Sequence, residues 1–218
     1  MNGWSEIAAW RKRARSELIA VRLAIPAAQR REFTATIARL LEGMFARLPG
    51  RVLAFCWPYR GEVDVRFAVR TLREQGASAA LPEVAGKGSP LRFREWRPGV
   101  AMVEGPLGIP APRDTACVVP DAALVPLVGF DGQGYRLGYG GGYFDRTLAA
   151  PGRKPLAVGV GFEAARLPTI HPQPHDIAMD FIVTEAGIRQ VEDGELRALD
   201  VDVAAARARE WAASRRGS

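Results

Sequence analysis

Short apolar runs separated by helix-patterned stretches constrain this chain more than any other feature. RVLAFCWP (51–58), ASAALPEV (77–84), LRFREW (91–96), LAVGVGF (156–162) and FIVTE (181–185) read as strands, and CVVPDAALVPLVGFD (117–131) as one or two more. Between them, DVRFAVRTLREQG (64–76) reads as a helix with Asp64 as its cap and Gly76 as its stop, and GGYFDRTLAA (141–150) opens another. Such alternation predicts an α/β fold, a central sheet with helices on its faces. Ahead of it, Ile7, Trp10, Ala14, Leu18, Val21 and Ile25 recur at helical spacing, so an amphipathic helix is expected up to Pro26, and a second from Pro26 to Arg47. ELRALDVDVAAARAREWAAS (195–214) is expected to form a peripheral terminal helix within residues 190–218. No repeat or long linker divides the chain, so residues 1–218 are expected to form one domain whose first 50 residues are a basic helical part.

Charge and cysteine usage narrow the function classes. The net charge is +6, and residues 1–50 carry nine basic side chains against four acids, so an anionic partner is expected. Cys56 and Cys117 lie in apolar surroundings without metal-type spacing and are expected to be buried free thiols. No apolar run reaches membrane-spanning length and no signal-peptide core opens the chain, which predicts a cytoplasmic protein without membrane contact.

The stretch RLGYGGGYFDR (136–146) places Gly138, Gly140, Gly141 and Gly142 within five positions, between Arg136 and Asp145. Backbone this bare signals positive φ or close ligand approach. One reading is a surface hairpin. The other, favoured by the preceding strand and following helix, is a phosphate cradle of backbone N–H groups. It is neither a dinucleotide fingerprint, since Tyr143 stands where the third glycine would fall, nor a Walker loop. Arg136 has the forked donors to hold phosphate, and Asp145 is either a Mg²⁺ ligand or a carboxylate favoured at a helix start. Arg11 and Arg15, four residues apart, share a helix face that is either a solvated stripe or an anion contact. His171 and His175 are separated by Pro172 and Pro174, which rule out the helix that would align them on a metal.

LVPLVGFDGQGYRLGYGGGYFDRTLA (124–149) closely resembles the signature of the 5-formyltetrahydrofolate cyclo-ligase family. RKRARSELIAVRLAIP (11–26), FCWPYRGEVDV (55–65) and HPQPHDIAMDFIVTE (171–185) resemble its other motifs in the same order. The resemblance implies a mostly parallel sheet akin to sugar-phosphate isomerases and coenzyme A transferases. It also implies use of ATP and Mg²⁺ to convert 5-formyltetrahydrofolate into 5,10-methenyltetrahydrofolate, with release of ADP and phosphate. By position it assigns Arg11, Arg15, Arg136, Gly138, Gly140, Gly141, Gly142, Tyr143 and Phe144 to ATP, and Asp145 and Asp176 to Mg²⁺. Trp57, Glu62, Tyr139 and Tyr143 would contact the folate, with Arg136, Tyr143 and Asp145 closest to the chemistry. Trp57 could equally be a core residue, and Glu62 a turn carboxylate.

Four positions depart from the family pattern. Arg11 replaces a lysine, Ala111 a glutamate, Phe144 a tyrosine and Ala165 a glutamine. A related ATP-dependent enzyme with another substrate therefore stands beside the cyclo-ligase reading, with a basic nucleic-acid binder third. The expected assembly state is a monomer or weak homodimer, with no nucleic acid bound.

Overall fold

The computed structural model describes residues 3–46, 48, 50–105 and 108–214. Two long helices come first, α1 (Trp4–Ala24) and α2 (Ala27–Phe45), followed by β1 (Val52–Ala54), α3 (Arg66–Glu74), β2 (Ser78–Val84) and β3 (Leu91–Trp96). A small hairpin, β4 (Met102–Glu104) and β5 (Pro110–Pro112), precedes β6 (Ala122–Pro126). The short pair β7 (Gly129–Phe130) and β8 (Arg136–Leu137) leads into α4 (Tyr143–Ala149), then β9 (Leu156–Val160) and a 3₁₀ turn (Glu163–Ala165). The chain finishes with β10 (Phe181–Thr184), β11 (Gly187–Glu192), β12 (Glu195–Leu199) and α5 (Val201–Ser214). The predicted end of the second helix at Arg47, with Pro49 behind it, lies outside the described residues, as do residues 215–218.

One eight-stranded sheet, in the order β12-β11-β10-β9-β6-β1-β2-β3, organises the molecule. Its five inner strands, β10, β9, β6, β1 and β2, are parallel, and antiparallel pairings close both edges. Continuous burial of β9 explains why LAVGVGF reads as an uninterrupted apolar run, as expected of a parallel strand covered on both faces.

The two faces differ in relief. Leu53, Leu81, Leu124, Val158, Phe181 and Val183 point to one side, where α2, α3 and α5 cover them with Ile37, Leu41, Val69, Leu72 and Ala208. The alternate positions form a row of alanines, Ala80–Ala54–Ala123–Ala157, in register across four neighbouring strands. Phe93, Phe130 and Leu148 pack over this flat face, and Thr147 of α4 accepts the Leu91 N–H of β3 at 2.9 Å.

The C-terminal expectation is corrected. Residues 195–199 pair with β11 rather than continuing a helix, through a turn in which Asp193 and Gly194 take φ of 52° and 75°. Asp-Gly with both φ positive is the favoured two-residue hairpin turn, a signal present in the sequence. Nor is α5 peripheral, because Ala204, Ala205, Ala208 and Ala212 are buried. Asp64 is not the N-cap itself. Val65 occupies that position, and Asp64 accepts the Arg66 N–H from one residue further out. Cys117 is exposed and Cys56 half-buried, so the expected pair of buried thiols is not found.

Trp10, Ala14 and Leu18 of α1, with Ile25 at its end, pack inward as the apolar pattern predicts, but the buried face is not all apolar. Val21 and Leu23 are exposed, whereas the buried residues are Arg11, Ala14 and Arg22. Among the described residues, no helix is long and apolar enough to cross a membrane.

Gly159 in β9 shows how tightly the sheet is filled. A Cβ there would come within 2.7 Å of Ile182, 2.9 Å of Leu127 and 3.1 Å of Met179. Gly159→Val should lower unfolding free energy by about 1–3 kcal/mol through overpacking, measured by urea denaturation.

Candidate active site

A cleft of ≈ 710 Å³ opens where the carboxyl ends of the parallel strands meet the glycine loop. Cys56 and Trp57 follow β1, Pro126 ends β6, and Pro82, Glu83 and Val84 belong to the end of β2. Chain order reverses between β1 and β6, so the cleft sits at the topological switch point, the usual ligand position in open α/β sheets. All fourteen residues assigned from the sequence line it, from Arg11 on α1 to Asp176 in the loop before β10. Ala111 lines it too, whereas Ala165 does not.

The glycines are spaced to seat guanidinium groups. A Cβ at Gly138 would lie 2.5 Å from Arg136, one at Gly140 3.5 Å from Arg15, and one at Gly142 2.9 Å from Arg146. Gly141 instead accommodates the Tyr143 ring, 2.8 Å from its would-be Cβ. Gly140 and Gly142 also take positive φ, 94° and 62°. Helix α4, only seven residues long, has too few aligned peptides for its dipole to govern anion affinity. The loop thus presents side-chain cations beside its bare backbone.

Each cation has defined partners. Arg136 is buried, and Nη2 donates to Asp145 Oδ2 at 3.1 Å, while Nε is buried without an acceptor. Burial pulls the Arg136 pKa down, opposed by the charge of Asp145. Arg15 Nε donates to the Gly138 carbonyl at 2.7 Å, and its pKa is lowered by burial and by neighbouring Arg11. Arg11 forks onto Asp176 at 3.2 and 2.5 Å and donates to the carbonyls of Ile170 and His171. Arg146, which motif reasoning passed over, donates to the Gly141 carbonyl at 2.7 Å. Its position directly after Asp145 on the same helical turn was the signal available in the sequence.

The histidines stack on α1 rather than gathering a metal. Trp10 meets His171 edge-on at 4.7 Å and Trp4 meets His175 at 5.8 Å. Among the described residues, no group of three or more His, Cys, Asp or Glu side chains is placed to hold a metal ion alone.

At the far end, Glu62 closes a turn through Arg60 and Gly61, both with positive φ. It accepts the Tyr59 N–H at 3.0 Å and the Tyr139 hydroxyl at 2.9 Å, and Arg22 donates to that hydroxyl at 2.7 Å. Burial raises the Glu62 pKa, opposed by Arg22 and by those hydrogen bonds. Burial likewise pushes the Cys56 thiol up, with Glu62 adding to the effect, so Cys56 is not a thiolate nucleophile. Trp57 packs partly against the core, as one reading expected, and also lines the cleft, with the Arg66 guanidinium 4.6 Å over its ring.

Fold and cleft together define an α/β protein with an arginine-rich cleft at the carboxyl edge of its parallel strands. Residues 7–185 match the model of the 5-formyltetrahydrofolate cyclo-ligase family, and the chain belongs to that family of ligases. The 5-formyltetrahydrofolate cyclo-ligase of Mycolicibacterium smegmatis is 31% identical over 179 residues, 78% of this chain and 91% of that protein. That of Haemophilus influenzae is 27% identical over 171 residues, 74% and 91% of the two chains. The 5,10-methenyltetrahydrofolate synthetase structure from Aquifex aeolicus superimposes with a TM-score of 0.72 at 28% identity, covering 87% of this chain and 96% of that one. The corresponding Mycoplasma pneumoniae structure shares the fold, with a TM-score of 0.66 at 23% identity over 80% and 98% of the chains.

The Arg11–Asp176 pair has a pH signature. Burial pushes the Asp176 pKa up, but the hydrogen bonds from Arg11 and the Gln173 N–H, with the charge of Arg11, hold it below the ordinary value. A carboxylate whose pKa falls on folding adds stability above its unfolded pKa and loses it as pH falls through the folded one. Asp176→Asn should therefore lower Tm at neutral pH, and the gap to wild type should shrink as pH drops below about 4. Thermal melts of both proteins across pH check this.

Proposed function

We propose that the cleft binds ATP with Mg²⁺ at the glycine loop and 5-formyltetrahydrofolate at the Trp57–Glu62–Tyr139 end. Ring closure there gives 5,10-methenyltetrahydrofolate, ADP and phosphate. The observation that carries this reading is the row of arginines seated on loop glycines, in one cleft with a buried acid–phenol pair. Membership of the cyclo-ligase family supports the choice of substrate.

The residues suit both groups. Arg136 Nε, buried and without an acceptor, is a donor that an anion would satisfy. Two carboxylates, Asp145 and Asp176, are a donor set of the size Mg²⁺ takes from a protein when phosphates supply further oxygens. Both carboxylates are paired with arginines, so metal and polyphosphate would enter by exchange of partners. When bound, the nucleotide supplies the phosphoryl group that turns the formyl oxygen into a leaving group.

The protein's part is positioning and charge. Arg15 and Arg136 hold negative oxygens, and their fixed donors suit a reaction that builds charge on phosphate. Glu62 and Tyr139 offer an acceptor and a hydroxyl to the polar edge of a pterin, and Trp57 a flat wall. No step requires a nucleophilic side chain.

A related ATP-dependent enzyme with another acceptor is the second reading. It is favoured by Ala111, a small apolar residue that lines the cleft where the family commonly has glutamate. The nucleic-acid reading loses ground because Arg11, Arg15 and Arg22 turn inward onto loop carbonyls and acids.

Incubation with 5-formyltetrahydrofolate and Mg-ATP should give methenyl product, read by its absorbance. A wild type that is stabilised by Mg-ATP but makes no such product would overturn the folate assignment. Asp145→Asn should remain folded and lose on the order of a hundredfold in kcat or more, as for loss of one transition-state electrostatic partner.

Gly140→Ala places a Cβ at positive φ and against the seat of Arg15. It should weaken Mg-ATP binding about tenfold or more, seen as a smaller nucleotide-induced rise in Tm than the wild type shows.

A further inference from the structure

Four arginines line the phosphate end of the cleft, and they divide into two kinds. Arg11 and Arg136 are neutralised by Asp176 and Asp145. Arg15 and Arg146 have no ion-pair partner among the described residues, and each donates one hydrogen bond to a carbonyl of the loop itself, Gly138 and Gly141 respectively.

Arg146 is held with unusual care for a side chain that bonds one carbonyl. Its guanidinium stacks 5.0 Å over the Tyr143 ring. Gly142, at φ 62°, leaves it the space that any side chain there would take. Its Nε is buried and has no acceptor. A guanidinium carries five donors in a rigid fork, and one bond to Gly141 leaves most of them unused. The rest of the half-buried guanidinium faces the cleft without a counter-charge among the described residues, so an anion entering there would find both a charge and free donors.

We propose that Arg146 is a further phosphate-binding residue, the second arm of a grip whose first arm is Arg15. Each arm rests on its own loop glycine, Arg15 on Gly140 and Arg146 on Gly142. The two charges left unpaired by the carboxylates take up polyphosphate oxygens alongside Arg136. This inference rests on the nucleotide reading given above.

The competing role for Arg146 is a brace for the Gly141 carbonyl, and Arg146→Gln separates the two. The glutamine amide retains a donor for that carbonyl but removes the charge and the fork. Arg146→Met removes both. Wild type and variants are titrated with Mg-ATP, Mg-tripolyphosphate and adenosine by calorimetry, with unliganded Tm measured alongside.

Both variants should bind Mg-ATP and Mg-tripolyphosphate about tenfold to a hundredfold more weakly. Adenosine affinity should not change, and Arg146→Gln should keep the unliganded Tm. Arg146→Gln binding both polyphosphates as wild type does would overturn the proposal and leave Arg146 as a brace. A wild type that binds neither polyphosphate would overturn the nucleotide reading and this inference with it. A wild type that binds both, with only the variants weakened, supports the two together.

Discussion

A buried guanidinium needs acceptors, and the architecture of this site follows from how α1 supplies three guanidiniums that find them. Arg11, Arg15 and Arg22 reach from one helix into four loop segments, bonding the carbonyls of Ile170 and His171, of Gly138, of Arg60 and of Leu127. The parallel strands bring those segments to one edge of the sheet, and direct bonds such as Ile170 N–H to Asp131 and Tyr139 to Glu62 also join them. Hydrogen bonds to a charged donor are each worth roughly 1.5–3 kcal/mol. A row of them, together with the packing of Trp10, Ala14, Leu18 and Ile25, fixes α1 against the sheet's carboxyl edge. The helix that contributes cations to the cleft is thereby also the strut that holds the cleft's walls together.

Burial sharpens the electrostatics of this arrangement. Desolvation works against the charge on Arg136, while Asp145 sustains it, and the same balance with the signs exchanged operates at Asp176 beside Arg11. Pairs held this way are preorganised: their geometry exists before any ligand arrives, so little reorganisation is needed when charge appears. At the other end, Glu62, Tyr139 and Arg22 form a hydrogen-bonded chain in which burial raises the pKa of both the acid and the phenol. The cleft thus has one end rich in fixed positive charge and another where protons are held more tightly.

Much of this was legible in the sequence, for definite physical reasons. The inner strands announced themselves because parallel strands covered on both faces must be continuously apolar, and β9 is the clearest case. The edge hairpin of β11 and β12 was hidden because its residues are mostly only partly buried and include good helix formers such as Leu196, Ala198 and Leu199. The Asp193-Gly194 turn carried the contrary signal. In the site, glycine spacing pointed to the loop, and all the residues assigned from the motifs line one cleft. What spacing could not reveal was which partner each charge would find. Arg11 proved to be saturated by Asp176 and two carbonyls, while Arg146 stood unpaired. The apolar stripe of α1 was found at Trp10, Ala14, Leu18 and Ile25, but periodicity of apolar residues could not show that Arg11 and Arg22 are buried beside it while Val21 is exposed.

The alanine row beneath the cleft side of the sheet bears on how this protein can change over time. Neighbouring strands lie about 4.8 Å apart, so Ala80, Ala54, Ala123 and Ala157 pave a level strip on which Phe93, Phe130 and Leu148 rest. On the opposite face, leucine, valine and phenylalanine can trade volume with the helices above them, and variation there is absorbed locally. The alanines have no such latitude. A larger residue would lift what lies above, and a glycine would loosen the strand. Sequence drift in this fold is therefore asymmetric: one face of the sheet can wander while the row of four alanines on the other is held to a methyl group each by the layer that lies on it.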